Sequence, residues 1–261
     1  MRLFVFLLVA SLALAGCKKP DPAPADASLL SEVKTRLTER DKKLASYRFK
    51  TTVTEGANEA RFEFSFRSPN KMKGVISHPT ELTYAFDGSE LQQLTLQNKK
   101  LVVKTMEGGN EQTALMLNRT FAPFAPEGFR APLLVRTGVS AKKVAHPKAR
   151  EAVEVVQEAK DDSGTARVSY VFRWPQMDFL GKTSEIAGQK SEVRVDEEHC
   201  DEKLQLCVPM KLSQLSFPKG GAGQLVGTSV ISEIELSAVL PNDAFTLATP
   251  DGFERVAAPA Q

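Results

Sequence analysis

Chemistry that needs a nucleophile, a proton carrier or a soft metal ligand has few candidates here, because the chain holds only three cysteines and three histidines in 261 residues. Cys200 and Cys207 flank Asp-Glu-Lys-Leu-Gln-Leu, a stretch with the character of a hairpin loop. In an oxidising compartment such a pair is expected to form a disulfide. A zinc site would use closer pairs and more ligands, and only His199 is adjacent. His78 and His146 each precede a proline in turn-like sequence, away from any partner that would make them acids or bases. Glu197, Glu198, Asp201 and Glu202 could take a calcium ion, but they lack the regular spacing and turn glycine of a dedicated loop and read as a solvated cluster. Neither Gly-x-Ser-x-Gly, His-Glu-x-x-His nor a phosphate loop occurs. The expectation is a chain with no catalytic residues, no metal and no cofactor, and not an enzyme.

The third cysteine has a different setting. Met1 and Arg2 are followed by an apolar run from Leu3 to Ala15, the charged start and short core of a secretory signal. The run is too short to span a bilayer, which takes about 20 apolar residues. It ends in Leu14-Ala15-Gly16-Cys17, which resembles the bacterial lipobox, where the cysteine thiol receives diacylglycerol before cleavage. Residues 1–16 are thus expected to be a signal peptide and Cys17 a lipidation site, and two or more acyl chains anchor a protein stably without a transmembrane helix. Residues 17–27 continue as the lipidated cysteine and a tether with three prolines and no large apolar group, which cannot pack and stays extended. Lys18 stands where the enterobacterial sorting pattern places an inner-membrane aspartate. The expected location is therefore the cell envelope, on the periplasmic face of a membrane, with the outer membrane favoured.

The chain beyond the tether is long enough to bury a substantial core, and residues 28–257 are read as a single β domain. Lysine and arginine number 34 against 32 acids, and no basic run exceeds a pair, so nucleic acid has no electrostatic footprint here. Fifteen phenylalanines against three tyrosines and one tryptophan are unusual. Phenylalanine supplies apolar area without a polar tip, so a large dry surface is implied.

The elements that would carry this surface can be placed in order. From Ser28 to Ala45, Leu29, Leu30, Val33, Leu37 and Leu44 recur at helical steps between charged residues, with Ser28 as the expected cap. The polar face mixes both signs, unlike an interfacial helix, so the expected role is to cover a sheet. Strand alternation begins at Tyr47 to Val53. It is clearest where Ala60, Phe62, Phe64 and Phe66 interleave with Arg61, Glu63, Ser65 and Arg67. Further strands are expected at Lys71–Ser77, Leu82–Phe86, Leu91–Leu96 and Leu101–Met106, with turns at Asp87-Gly88 and Asn98-Lys99. Between Ala114 and Val139 the pattern breaks into apolar residues punctuated by Pro123, Pro126 and Pro132, which exclude a central strand and a long helix. This segment reads equally as a helix-and-loop lid over the dry face or as core filler in a crossover. Strands resume at Ala152–Glu158, Val168–Trp174, Glu192–Asp196, Val208–Ser216 and Gln224–Leu236. The sum is ten or eleven strands in one antiparallel meander, long enough to curl into an incomplete barrel.

The order of these pieces resembles the LolA/LolB-like lipoprotein-carrier superfamily. The resemblance rests on the N-terminal helix ending near Leu44-Ala45-Ser46-Tyr47, the Phe-rich strands, Ser68-Pro69-Asn70-Lys71 and Phe86-Asp87-Gly88. It continues through Val195-Asp196, Val208-Pro209, Leu240-Pro241-Asn242-Asp243-Ala244-Phe245-Thr246-Leu247 and Pro250-Asp251-Gly252-Phe253. It implies a mainly β fold, a curved antiparallel sheet forming an incomplete barrel, with an N-terminal helix and a helical or loop lid over an apolar cavity that receives acyl chains. The soluble carrier of that family has no anchor, so Cys17 brings this chain closer to anchored or sensing relatives. Arg61, Arg67 and Lys73 lie where the carrier's cavity arginine is sought, but alternation puts the first two on the wet face, and no gating residue is carried over.

Two functions share this pattern. In the first, Phe62, Phe64, Phe66, Met72, Ile76, Tyr84 and Phe86 line a dry concave face that shelters acyl chains of a lipid or lipoprotein, at about 25 cal/mol per Å² buried. Its partners are the membrane through Cys17 and the acyl cargo, with the protein a monomer. In the second, the chain is a structural or stress-sensing envelope lipoprotein whose cavity is filled by its own Phe121–Val135 segment.

Overall fold

The computed structural model describes residues 25–106, 111–134, 138–161, 164–218 and 221–258. The expected signal peptide, Cys17 and most of the expected tether lie outside the described residues, as does Val135.

The first element is helix α1 (Ala25–Lys43). It starts three residues before the expected Ser28 cap, so Ala25 to Ala27, read as tether, are helical. Alanine has the highest helix propensity and an aspartate suits the first turn, which extends the helix backward. Val33 and Leu37, with Leu44 just beyond the last turn, form one buried stripe. Leu29 and Leu30 lie half-buried beside it.

The strands come in chain order: β1 (Ser46–Glu55), β2 (Asn58–Arg67), β3 (Lys71–His78), β4 (Leu82–Phe86), β5 (Glu90–Thr95) and β6 (Lys100–Thr105). Helix α2 (Glu111–Phe121) interrupts them. Then come β7 (Val139–His146), β8 (Ala149–Asp161), β9 (Gly164–Arg173), β10 (Asp178–Ile186), β11 (Gln189–Asp201), β12 (Leu206–Phe217), β13 (Gln224–Leu236) and β14 (Glu254–Ala257). Among the described residues fourteen strands replace the ten or eleven expected. β7, β10 and β14 escape detection because their alternation is poor: β7 carries a Lys142-Lys143 pair, and β10 has a register shift at Phe179/Gly181. β14 is a four-residue strand that pairs parallel with β6.

All fourteen strands lie in one sheet, in the order β14-β6-β5-β4-β3-β2-β1-β13-β12-β11-β10-β9-β8-β7. This corrects the single meander. β1 to β6 step outward in one direction, the chain crosses through α2 and its following loop to the opposite edge, and β7 to β13 step back until β13 pairs with β1. The sheet is curved and unclosed, with β14 and β7 as its edges.

Each half of the concave face is filled from within. Val33 and Leu37 of α1 pack with Val153, Val155, Phe172, Phe179 and Val195 of the β7–β12 half. Residues 116–129 pack against the β1–β6 half. On the convex face the C-terminal stretch lies over β4 to β6, where Leu247 packs with Ala85 and Leu101. The buried Gln92 Oε1 accepts the Leu247 amide at 2.6 Å there. Arg67 lies on this outer face, donating to the Leu240 carbonyl and to Asn242.

Candidate functional site

Register brings the expected lining residues together. Tyr47 of β1 pairs Phe66 of β2, Phe66 pairs Met72 of β3, and Met72 pairs Phe86 of β4. The next row on the same face is Phe49, Phe64, Gly74 and Tyr84, and the next is Thr51, Phe62, Ile76 and Leu82. All seven residues expected to line the face therefore share it. Tyr47 and Phe49 belong to it as well, beyond those seven, and their alternation with Arg48 and Lys50 carries the signal. Arg61, Ser65, Arg67 and Lys73 occupy the opposite face, as alternation requires.

The face is covered. Phe62, Phe64 and Phe66 are 2% exposed and Phe86 is fully buried. Met72, Ile76 and Tyr84 are half-buried against the same cluster. The cover is α2 and the loop after it, where Pro123 and Pro126 end the helix and force an irregular path. Phe121 lies 6.2 Å from Phe64 between ring centres, Phe124 stands edge-on to Phe62 at 5.8 Å and to Tyr84 at 5.9 Å, and Phe129 lies 4.7 Å from Phe49. The absent side chain of Gly74 makes room for Phe124, since a Cβ there would fall 2.6 Å from the ring. Between lid and core filler, geometry gives a plug that meets the sheet through side chains.

The far end of this plug is tied to α1 by polar groups. Arg40, 4% exposed, donates from Nη2 to the carbonyls of Gly128 at 2.7 Å and Cys207 at 3.1 Å, and from Nη1 to that of Phe129 at 3.1 Å. Its Nε lies 3.8 Å from Asp178 Oδ1, which also accepts the Cys207 amide at 2.9 Å. Asp178 Oδ2 takes Arg173 at 3.0 Å, and Arg173 reaches Glu198 at 2.8 Å. Asp41 accepts the Ala131 amide at 2.9 Å. Gly128 has φ of +93°, which favours glycine, and a Cβ there would strike Phe179. Burial lowers the Arg40 guanidinium, with the carboxylates of Asp178 and Asp41 opposing. Burial also raises the Asp41 carboxyl, against the Ala131 amide and Arg130. Helical periodicity counts Arg40 among the polar residues of α1. Its position nevertheless gives a signal, because it continues the Val33, Leu37, Leu44 stripe.

Tyr47 completes the group. Its ring lies 5.3 Å from Phe129 and 5.2 Å from Phe66, and its hydroxyl is buried without a hydrogen-bond partner among the described residues. Desolvation pushes the phenol well above its ordinary range.

Cys200 and Cys207 are bonded, S–S 2.05 Å, as a cross-strand pair that closes the β11–β12 hairpin. Glu198 lies near both sulfurs, but these are spent in the disulfide and Glu198 pairs with Arg173. Asp201 accepts the Leu204 amide at 2.9 Å and Glu197 lies 3.8 Å from Lys211, which is the behaviour of a solvated hairpin end. A separate cleft of about 510 Å³, lined by Lys148, Arg150, Arg173 and Trp174, opens at the β7–β8 and β9–β10 turns, away from the aromatic rows.

No known family model and no curated protein sequence matches the chain. Solved structures resemble it in backbone course. A LolA superfamily protein from Nitrosomonas europaea is 13% identical, with a TM-score of 0.49 over 82% of this chain and 97% of its own. A DUF1329 family protein from Desulfovibrio piger is 10% identical, with a TM-score of 0.49 over 84% of this chain and 96% of its own. MucB in the MucA/MucB complex of Pseudomonas aeruginosa is 15% identical, with a TM-score of 0.35 over 84% of this chain and 60% of its own.

Proposed function

We propose that the protein is a cell-envelope acyl-binding lipoprotein, held by lipid on Cys17 at the periplasmic face of a membrane, the outer membrane favoured. It acts as a monomer and not as an enzyme, and shelters the acyl chains of a lipid or lipoprotein on the concave face of β1 to β4. The observation that carries this reading is the cover of that face. Three rows rich in aromatics are closed by a proline-bounded plug attached through side chains and through the Arg40 and Asp41 bonds, with no strand pairing to it among the described residues. Acyl chains would take the place of Phe121 and Phe124, replacing the apolar contacts that these rings make with the sheet.

A second reading is favoured by the near-complete burial of Phe62, Phe64, Phe66 and Phe86. In it the plug is permanent core and the chain is a structural or sensing envelope lipoprotein. Titration of the purified, delipidated protein with a fluorescent fatty acid separates the two. The binding reading expects saturable binding at micromolar probe that Phe64→Glu abolishes, because a carboxylate in a dry site is strongly disfavoured. A folded wild-type protein indifferent to the probe leaves only the second reading.

A further inference from the structure

The cleft at the β7–β8 and β9–β10 turns lies apart from the aromatic rows and the plug, and its charges do not balance. Of the groups that line it, Arg173 is shared by Asp178 and Glu198, and Glu151 is met by Lys143 at 3.3 Å. Lys148 and Arg150 are left over. Among the described residues the Lys148 ammonium donates to neutral oxygens, the carbonyls of Val195 and Asp196. Arg150 is exposed and has no ion pair among the described residues. Beside them, burial and the charges of Lys148 and Arg173 push the His146 imidazole below its ordinary range, against Glu198. Its Nδ1 accepts the Lys148 amide at 3.2 Å, as a neutral ring would. The cleft thus carries two positive charges that no acid of the described residues answers.

Those charges select the ligand. Chloride or a single carboxylate answers one of them. A phosphate monoester carries a charge of about −1.5 to −2 near neutral pH with three strong acceptor oxygens, and a guanidinium can meet it through two parallel N–H···O bonds. The cleft, at about 510 Å³, lies within the range of about 300 to 1,000 Å³ that small-molecule sites occupy, more than the ion alone would fill. Trp174 and Pro175 supply its apolar lining, and Arg36 and Lys143 lie over the indole at 4.8 and 4.6 Å. We infer that this cleft binds a phosphate monoester, with Lys148 and Arg150 on the phosphate oxygens and Trp174 and Pro175 against the organic remainder. Soluble esters and lipid headgroups both present that group. The inference stands independently of the acyl-binding reading and needs no movement of the plug.

Trp174 is the only tryptophan of the chain, so its fluorescence reports on the cleft directly. The full chain in neutral detergent micelles is titrated at constant ionic strength with glycerol phosphate, with acetate as the singly charged control, and then with phosphatidic acid mixed into the micelles. A saturable change with glycerol phosphate supports the inference with a soluble ester as ligand, and a change with phosphatidic acid alone supports it with a headgroup. Arg150→Gln is expected to weaken the response about tenfold, the worth of one charged hydrogen-bonded contact. Its melting temperature should not change, because Arg150 bonds to nothing else among the described residues. Arg61→Gln removes the same charge from the convex face of β2 and should leave the response intact. Silence toward both phosphates, an equal response to acetate, or equal behaviour of the Arg150→Gln and Arg61→Gln proteins overturns the inference.

Discussion

Arg40 shows how far one side chain can depart from what its type implies. An arginine in an amphipathic helix ordinarily keeps its head in water, yet this one is buried with Asp178 and three carbonyls. Removing one partner of a buried pair leaves the other uncompensated. Arg40→Met should therefore lower unfolding stability by about 3 to 5 kcal/mol in urea titration, whereas Arg36→Met, half-exposed and paired within the helix, should cost well under about 1 kcal/mol. A carboxylate gives a pH prediction. Burial alone would raise Asp87, but the amides of Glu90 and Ser89, the Ser89 hydroxyl and Lys71 outweigh it and hold the carboxyl below its ordinary value. A depressed carboxylate stabilises above its unfolded pKa, and that contribution is lost as pH falls through the folded one. Asp87→Asn should flatten the acid limb of the stability profile below roughly pH 4, measured by thermal melts. At this scale the apolar residues are readable because alternation assigns each a face. The partners of Arg40 and Asp41 are not, because the carbonyls of Gly128, Phe129 and Cys207 and the amide of Ala131 are backbone groups far along the chain.

Among the elements, the plug decides what the protein can do. Gly74 and Phe124 fit one another so closely that Gly74→Ala drives a methyl into the ring. Overpacking of this kind costs about 1 to 3 kcal/mol. If the plug is a movable cover, the variant should bind fatty-acid probe more tightly while melting earlier. If the plug is permanent core, only the melting temperature changes. The β11–β12 hairpin supports the plug from the other side, because Cys207 offers its carbonyl to Arg40 and its amide to Asp178. Replacing both cysteines by serine should cost about 2 kcal/mol, small because the closed loop is short, as calorimetry would measure. The well-alternating strands are readable to within a few residues. β10 and the outer part of β11 are obscured by register shifts that break the period of two. The crossover is hidden because local pattern says nothing about which edge the chain reaches next.

For the molecule as a whole, the proposed attachment rests on Cys17, which lies outside the described residues. Cys17→Ser should abolish metabolic labelling with palmitate and leave an uncleaved precursor on immunoblots, and labelling that persists would defeat the anchor. The proposed attachment and the fold rest on different signals, the first a local motif and the second a sum of periodicities. The closure of the sheet is readable by neither. β1, made almost first, finds its second neighbour in β13, made almost last. That pairing sets a timetable. As the chain emerges from its N-terminal side, the β1–β6 half comes with the plug that covers it, so its aromatic rows are shielded before β7 to β13 arrive. The β1 edge stays unpaired until β13, up to residue 236, has emerged. Pairings of such large sequence separation form slowly because the intervening chain must first be ordered. A chain cut before Gln224 should therefore hold its aromatic half together, leave β1 exposed to proteases and to strand pairing between copies, and aggregate where the complete chain does not.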